Sequence, residues 1–172
     1  MKDVFKEQLV RRAPGMKMAV MKAGIVGAAV FLMLLVLMFE ILTILLPILW
    51  AATIFGAYIA FKRLHVEYEY VLTNSEFDID IIIGKSRRRR IFNGSVRDFA
   101  AFRPVGSAEM ESAFGTAVAK MDVTSGRGLG GYEFLANYKG KKMRIVFEPN
   151  EDIVEAVLPL LKRGVYPAGM GK

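Results

Sequence analysis

The stretch VEYEYVLTNSEFDIDIII, residues 66–83, decides the fold because its apolar residues recur at every second position. The apolar positions are Val66, Tyr68, Tyr70 and Leu72 before the polar TNSE segment, and Phe77, Ile79, Ile81 and Ile83 within and after the FDID segment. The acidic positions between them are Glu67, Glu69, Asp78 and Asp80. A period of two predicts strands that bury one face, and the turn-rich segment between the two halves predicts a hairpin.

Similar patterns continue toward the C-terminus and predict five more strands. These strands are expected near residues 88–92, 96–103, 117–123, 132–138 and 143–147. Turns are expected at 84–86, at Asn93-Gly94 and at 139–142, and a loop is expected at 106–115, with one helical turn at 108–114. The SGRGLGG segment (125–131) looks like a phosphate-binding loop, but a strand rather than a helix follows it, so we interpret it as a flexible loop.

The last patterned segment predicts an amphipathic helix at 150–162 that closes the sheet. Asn150 is the expected N-cap, and Pro159 should loosen the last turn because proline has no amide hydrogen. The apolar face contains Ile153, Val157 and Leu161, which should pack on the sheet. Residues 165–172 have no pattern and are expected to form a loose tail.

N-terminal to the hairpin, residues 23–61 form an apolar run whose only charge is Glu40. One helix of this length would extend about 58 Å, whereas the hydrocarbon core of a bilayer is about 30 Å thick. Two membrane helices, at 16–38 and 43–61, fit better and place Glu40 in the turn, with Thr43 as N-cap and Pro47 in the first turns. A cleaved signal peptide and a single anchor with a buried Glu40 are the alternatives.

Basic residues flank the apolar run on both outer sides, including Lys62 and Arg63 after it. The positive-inside rule then places both termini in the cytoplasm of the cell, with a multi-pass anchor in the cell membrane. Small residues recur at helical spacing and are candidates for helix packing: Gly24, Ala28, Ala52, Gly56 and Ala60. The alternative is that glycine and alanine are simply common in membrane helices.

Residues 1–15 form a basic segment before the first membrane helix. Its apolar residues, Val4, Phe5, Leu9 and Val10, have the spacing of a short amphipathic helix at the membrane surface, which Pro14-Gly15 would end. A disordered basic tail is the alternative.

Seven strands followed by one helix resemble the pleckstrin-homology-like (PH-like) superfold. The chain also resembles a family of small bacterial two-helix membrane proteins with a PH-like cytoplasmic domain, through the matching segments Val66–Tyr70, Phe77–Asp80 and Lys85–Arg90. The resemblance implies a membrane α-helical hairpin (16–63), a PH-like seven-strand barrel or sandwich with a C-terminal helix (64–164) and a tail (165–172). It brings with it no established activity, cofactor or catalytic residue.

The arginine run is the most conspicuous candidate site, and it consists of Arg87, Arg88, Arg89 and Arg90. In a meander the third strand lies beside the acidic residues of the first two, so alternate arginines could form cross-strand ion pairs. The second interpretation is contact with anionic lipid headgroups or a protein partner, together with Lys62 and Arg63. Nucleic-acid binding is disfavoured because no aromatic residues interleave with the basic ones.

Composition excludes several classes of chemistry. The chain has no cysteine and one histidine, His65, so disulfides, thiolate nucleophiles and cysteine- or histidine-rich metal sites are excluded. We therefore expect no cofactor, no metal and no enzymatic activity. The expected function is a membrane-anchored binding or scaffold module that engages lipid headgroups, a protein partner or a like chain. The alternative is a small channel or transport accessory formed by oligomers of the hairpin.

Overall fold

The structure is a computed structural model that describes residues 3–39, 44–107 and 119–166. The chain divides into two compact units. The helical unit contains Pro14–Val66 and Ile83–Arg87, and the β unit contains Met1–Ala13, Glu67–Ile82 and Arg88–Lys172.

The helical unit contains α1 (Met16–Leu37) and α2 (Leu46–Arg63), which contact each other. Neither helix has a buried residue, although both are strongly apolar. By length and composition, one described helix, Met16–Leu37, is able to cross a membrane. Pro47 lies in the first turn of α2 as predicted, but the residue at the N-cap position is Leu45. The predicted turn at Glu40 and the predicted cap Thr43 lie outside the described residues.

The β unit is built on two four-stranded sheets. The first sheet has the order β1-β2-β3-β4, with β1 at Phe5–Arg11, β2 at Val66–Thr73, β3 at Glu76–Ile83 and β4 at Arg87–Ser95. The second has the order β5-β7-β8-β6, with β5 at Ala101–Pro104, β6 at Ala119–Asp122, β7 at Tyr132–Tyr138 and β8 at Lys141–Phe147. Strand β6 runs parallel to β8, and the β7–β8 pair is antiparallel.

Strand β1 replaces the predicted amphipathic helix, which is therefore wrong. Residues 5–11 pair antiparallel with 67–73, so that Val10 lies opposite Tyr68 and is buried. Gln8 reinforces this position, because its side-chain amide donates to the carbonyl oxygen of Glu148 and accepts from the amide of Asn150. The apolar residues of this segment do not alternate, so local pattern does not predict the strand. Pairing with the edge of β2 satisfies backbone groups that a lone seven-residue helix would leave exposed.

Two predicted elements differ in detail. Asn93 and Gly94 lie inside β4 rather than in a turn, and Val96–Asp98 form a 3-10 helix rather than the start of a strand. Asn93 donates to a carboxylate oxygen of Asp78 on β3, which keeps this segment in the sheet. The predicted helical turn at 108–114 lies outside the described residues.

The C-terminal helix α3 spans Glu151–Val157 and is shorter than predicted. Asn150 caps it as expected, accepting a hydrogen bond from the amide of Ile153 at 3.0 Å. The helix tightens into a 3-10 turn at Leu158–Leu160, where Pro159 removes an amide hydrogen. Ile153 and Val157 are buried as predicted, whereas Leu161 is half-buried. The predicted loose tail begins too early, because Val165 is buried and accepts a hydrogen bond from the amide of Phe102.

The core of the β unit is a cluster of aromatic rings contributed by both sheets and the connection after β4. Its fully buried members include Tyr70, Phe77, Phe92, Phe102, Phe134 and Phe147. Their rings meet mostly edge to face, and Phe134 stacks on Phe99 at 4.2 Å between centroids. This cluster holds β2 and β3 in position, so the acidic residues of both strands lie together on the opposite face of the sheet.

Candidate functional site

The outer face of the first sheet carries the four carboxylates that alternate with the core residues. Glu67, Glu69 and Asp80 are almost completely buried, although they are ionisable. Buried carboxylates are tolerated only when they are paired with cations or hydrogen-bond donors. Arg11 on β1 supplies the first partner, with its Nε 3.0 Å from Glu67.

Arg88 and Arg90 on β4 supply the other partners. Arg88 pairs with Glu69 and, at 3.4 Å, with Asp80. Arg90 pairs with Asp78 at 2.9 Å and with Asp80 at 3.1 Å, and the hydrogen bond to Asp80 raises the pKa of Arg90. The predicted cross-strand pairing is confirmed for these two arginines. We call this set of three arginines and four carboxylates the charge ladder.

Arg87 and Arg89 differ from their neighbours because alternation along β4 directs them away from the charge ladder. Both side chains are exposed, and within residues 3–39, 44–107 and 119–166 neither makes an ion pair. The run of four arginines therefore contains two kinds of residue, one internal to the sheet and one available to a ligand.

A second basic group lies where α2 ends. Lys62, His65, Gly84 and Lys85 line a cavity of about 280 Å³ together with Tyr58 and Phe61, and all six residues belong to the helical unit. Gly84 and Lys85 form a two-residue turn, with φ of +62° and +59°. The turn is attached to the helix end, since the Gly84 amide donates to the carbonyl oxygen of His65 at 2.8 Å. We call this cavity the basic pocket.

The glycine-rich segment forms a loop as expected, and its flexibility stays a prediction. Gly126, Gly128 and Gly130 have positive φ, which glycine adopts without strain. The Ser125 amide donates to a carboxylate oxygen of Glu148, and its carbonyl oxygen accepts from the amide of Ala13. The loop and β1 flank a groove of about 690 Å³. Nothing in its lining matches a dinucleotide-binding helix N-terminus.

Helices α1 and α2 border an apolar groove whose lining includes Ala28, Ala52, Gly56 and Ala60. Gly24 is not among the lining residues. A Cβ atom added at Gly24 or Gly56 would meet no atom within 4 Å. Steric exclusion therefore does not explain these two glycines, and their role in helix packing stays a prediction.

Among the described residues, no cluster of three His, Asp or Glu side chains is arranged to hold a metal ion. The acidic face of the first sheet has enough negative charge to bind a metal ion, but its carboxylate oxygens are paired with arginines. The chemistry this face supports is structural ion pairing, and the chemistry the basic pocket supports is binding of an anion.

The sequence alone did not identify two residues with a structural role: Lys85, which lines the basic pocket, and Gln8, which holds β1 in place. Lys85 was assigned only to a turn, and Gln8 was assigned to a surface helix. A lysine directly after the glycine of a two-residue turn was the available signal for Lys85, because such a turn places its side chains outside the sheet. For Gln8 no local signal existed, since both of its partners lie more than 100 residues away in the chain.

Tyr70 gives the β unit a testable pH dependence. Its hydroxyl donates to the carbonyl oxygen of Val123 at 2.6 Å, and burial raises the pKa of Tyr70 above its usual range. The fold therefore favours the neutral phenol, so its contribution is complete below about pH 10 and is lost as the pH rises further. We expect the unfolding free energy to fall by up to about 1.4 kcal/mol per pH unit more steeply than in Tyr70→Phe.

The measurement is urea unfolding of both proteins between pH 7 and pH 11, followed by circular dichroism. At neutral pH the Tyr70→Phe variant should be less stable by about 1 kcal/mol, because it leaves the Val123 carbonyl without its donor. Parallel pH profiles above pH 10 would contradict the assignment.

Comparison with known families places almost the entire chain in one of them. Residues 2–167 match the family described as Bacterial PH-like domain (DUF6106). A comparison with curated proteins gave no match, and a comparison with solved structures also gave none. The two sheets and the C-terminal helix agree with that description. The chain therefore belongs to the bacterial PH-like domain family.

Proposed function

We propose that the chain is a non-catalytic binding or scaffold module, held at the inner face of a bacterial cell membrane by α1 and α2. PH-like domains are typically non-catalytic binding modules, which supports binding as the class of function. The single observation that carries the anchoring is the apolar, entirely unburied surface of both helices. In water such a surface would be strongly unfavourable, and a bilayer removes that cost.

The distribution of charge supports the proposed orientation. The helical unit contains six Lys or Arg residues and only Glu40 as an acid, a net charge of +5, whereas the β unit has 18 basic and 16 acidic residues, a net charge of +2. The basic residues of the helical unit flank its apolar segments: Lys17, Lys22, Lys62, Arg63, Lys85 and Arg87. Basic flanks on both outer sides favour cytoplasmic termini.

The proposal is tested by expressing the full chain in bacteria and extracting the membranes with alkaline carbonate. An integral anchor should keep the protein in the pellet. Arg12→Cys and Lys162→Cys, each the only cysteine in its variant, should react with a membrane-impermeant maleimide in inverted vesicles but not in intact cells. Release by carbonate would overturn the anchoring, and labelling in intact cells would overturn the orientation.

A further inference from the structure

We infer that the basic pocket binds the phosphate group of an anionic lipid, with Lys62 and Lys85 as the charged contacts and His65 as a further polar contact. This inference rests on the proposed function, because it takes the end of α2 to lie at the membrane surface. It goes beyond that function by naming the ligand chemistry and the residues that recognise it.

The pocket forms where two separate chain segments meet closely at Gly84. A Cβ atom added at Gly84 would lie 3.1 Å from the carbonyl oxygen of Lys62, closer than a side chain normally tolerates. The positive φ of Gly84 also favours glycine there, although Lys85 adopts a similar angle. Glycine at this position therefore brings Lys85 against the last turn of α2, where Lys62 lies in the same cavity.

The pocket is cationic and has no internal counter-charge. No Asp or Glu is among its six lining residues. Within the described parts of the chain, neither Lys62 nor Lys85 makes an ion pair, in contrast to Arg88 and Arg90 in the charge ladder. Two lysines without an ion-pair partner in the lining of one cavity give it a positive charge, and an anion would supply the counter-charge.

Stabilisation of the α2 C-terminus explains only part of this arrangement. Cations in a last helical turn interact favourably with the helix dipole, which accounts for Lys62 and Arg63. The carbonyl oxygens of that turn already have partners, since Phe61 accepts from Leu64 and Lys62 accepts from His65. Lys85 comes from the turn after β3, and the dipole gives no reason for a lysine there.

A lipid is favoured over soluble phosphate because the rest of the lining is aromatic. Tyr58 and Phe61 line the pocket on the side of the apolar helix, and the Tyr58 side chain is 62% exposed. A tyrosine with a polar end at the junction of apolar and charged surface is typical of the headgroup region of a bilayer. Basic pockets at the ends of membrane helices bind anionic headgroups in the same way.

The experiment uses the full chain, purified in a neutral detergent and delipidated. Thermal unfolding is measured as phosphatidylglycerol, phosphatidylcholine or inorganic phosphate is added. We expect stabilisation by phosphatidylglycerol alone. The double variant Lys62→Gln/Lys85→Gln should bind it about 30-fold more weakly, which corresponds to about fivefold for each lysine.

Lys139→Gln is the matched control. Lys139 is also an exposed lysine with positive φ, followed by Gly140 in a two-residue turn, but it lies in the β unit. This variant should respond to phosphatidylglycerol as the wild type does, and Lys62→Arg/Lys85→Arg should retain most of the response because the charges remain.

If phosphatidylglycerol still stabilises Lys62→Gln/Lys85→Gln as it does the wild type, the basic pocket is not the binding site. Retention of this variant in the carbonate pellet would show that the proposed membrane anchoring holds independently of the pocket. Equal stabilisation by inorganic phosphate would overturn the lipid as the source of the phosphate. Equal stabilisation by phosphatidylcholine would overturn the requirement for net negative charge. Loss of the response in Lys139→Gln would assign it to overall charge rather than to the pocket.

Discussion

Replacing Arg88 with glutamine should lower the free energy of unfolding of the PH-like domain by about 3 kcal/mol. Arg88 pairs with Glu69 and Asp80, whose side chains are only 7% and 6% exposed. Without Arg88, Glu69 loses its guanidinium partner and Asp80 keeps only Arg90. Removing one member of a buried ion pair costs about 3–5 kcal/mol, and the lower value applies because the Arg88 side chain is half exposed.

The neighbouring Arg89→Gln variant is the control for this prediction. Arg89 is exposed, and no ion pair to it is present among the described residues, so its replacement should change stability by less than about 0.5 kcal/mol. If the two variants lose the same stability, the cross-strand assignment is wrong. A second test adds Glu69→Gln to Arg88→Gln, which should recover part of the loss because the uncompensated charge is removed.

Urea unfolding of the full chain in detergent measures both variants without screening the ion pairs. Five of the six tyrosines lie in the PH-like domain, so near-ultraviolet circular dichroism reports mainly on that unit. The only tryptophan, Trp50, lies in α2, and its fluorescence reports on the helices. We expect the tyrosine signal to shift to lower urea in Arg88→Gln while the tryptophan signal stays in place.

An asparagine introduced at Val10 should destabilise the domain by at least about 3 kcal/mol, whereas one at Leu9 should have little effect. Val10 is 7% exposed and faces the core from β1, and Leu9 is 45% exposed on the opposite face of the same strand. Val10→Asn loses about 2 kcal/mol of apolar burial and adds the cost of burying an amide without a partner, about 1–3 kcal/mol.

Leu9→Asn serves as the control because it introduces the same uncharged side chain at the adjacent position of the same strand, opposite Glu69. An amphipathic helix with Leu9 and Val10 on one apolar face would make both variants similar, so equal losses of stability would contradict strand β1. The same urea experiment with tyrosine circular dichroism measures the difference.

The local sequence was sufficient to predict the elements whose hydrophobic pattern fits only one type of secondary structure. The long apolar run predicts helices because no strand is that long, and VEYEYVL and FDIDIII predict a hairpin because their period is two. The side-chain cap of α3 by Asn150 and its loosening at Pro159 were also predictable, since each depends on a hydrogen bond within a few residues. The PH-like architecture followed from the order of these elements.

Residues 1–11 were not predictable in this way. Their apolar residues have the spacing of a helix rather than the alternation of a strand, and the strand forms because the free edge of β2, more than 50 residues further along the chain, pairs with it. The two residues that Gln8 bridges, Glu148 and Asn150, are more distant still. A segment that gains its hydrogen bonds from such partners shows no local sign of them.

For the charged residues too, the sequence determined some properties and the tertiary structure determined others. The sequence determined that the chain is basic and that basic residues flank its apolar run, and it excluded cysteine chemistry. Which arginines are neutralised was decided by the register of β4 against β3, because a shift of one residue exchanges the two faces of a strand. The basic pocket likewise exists only because the turn at Gly84 folds against the end of α2, a contact between segments about 20 residues apart that no local pattern encodes.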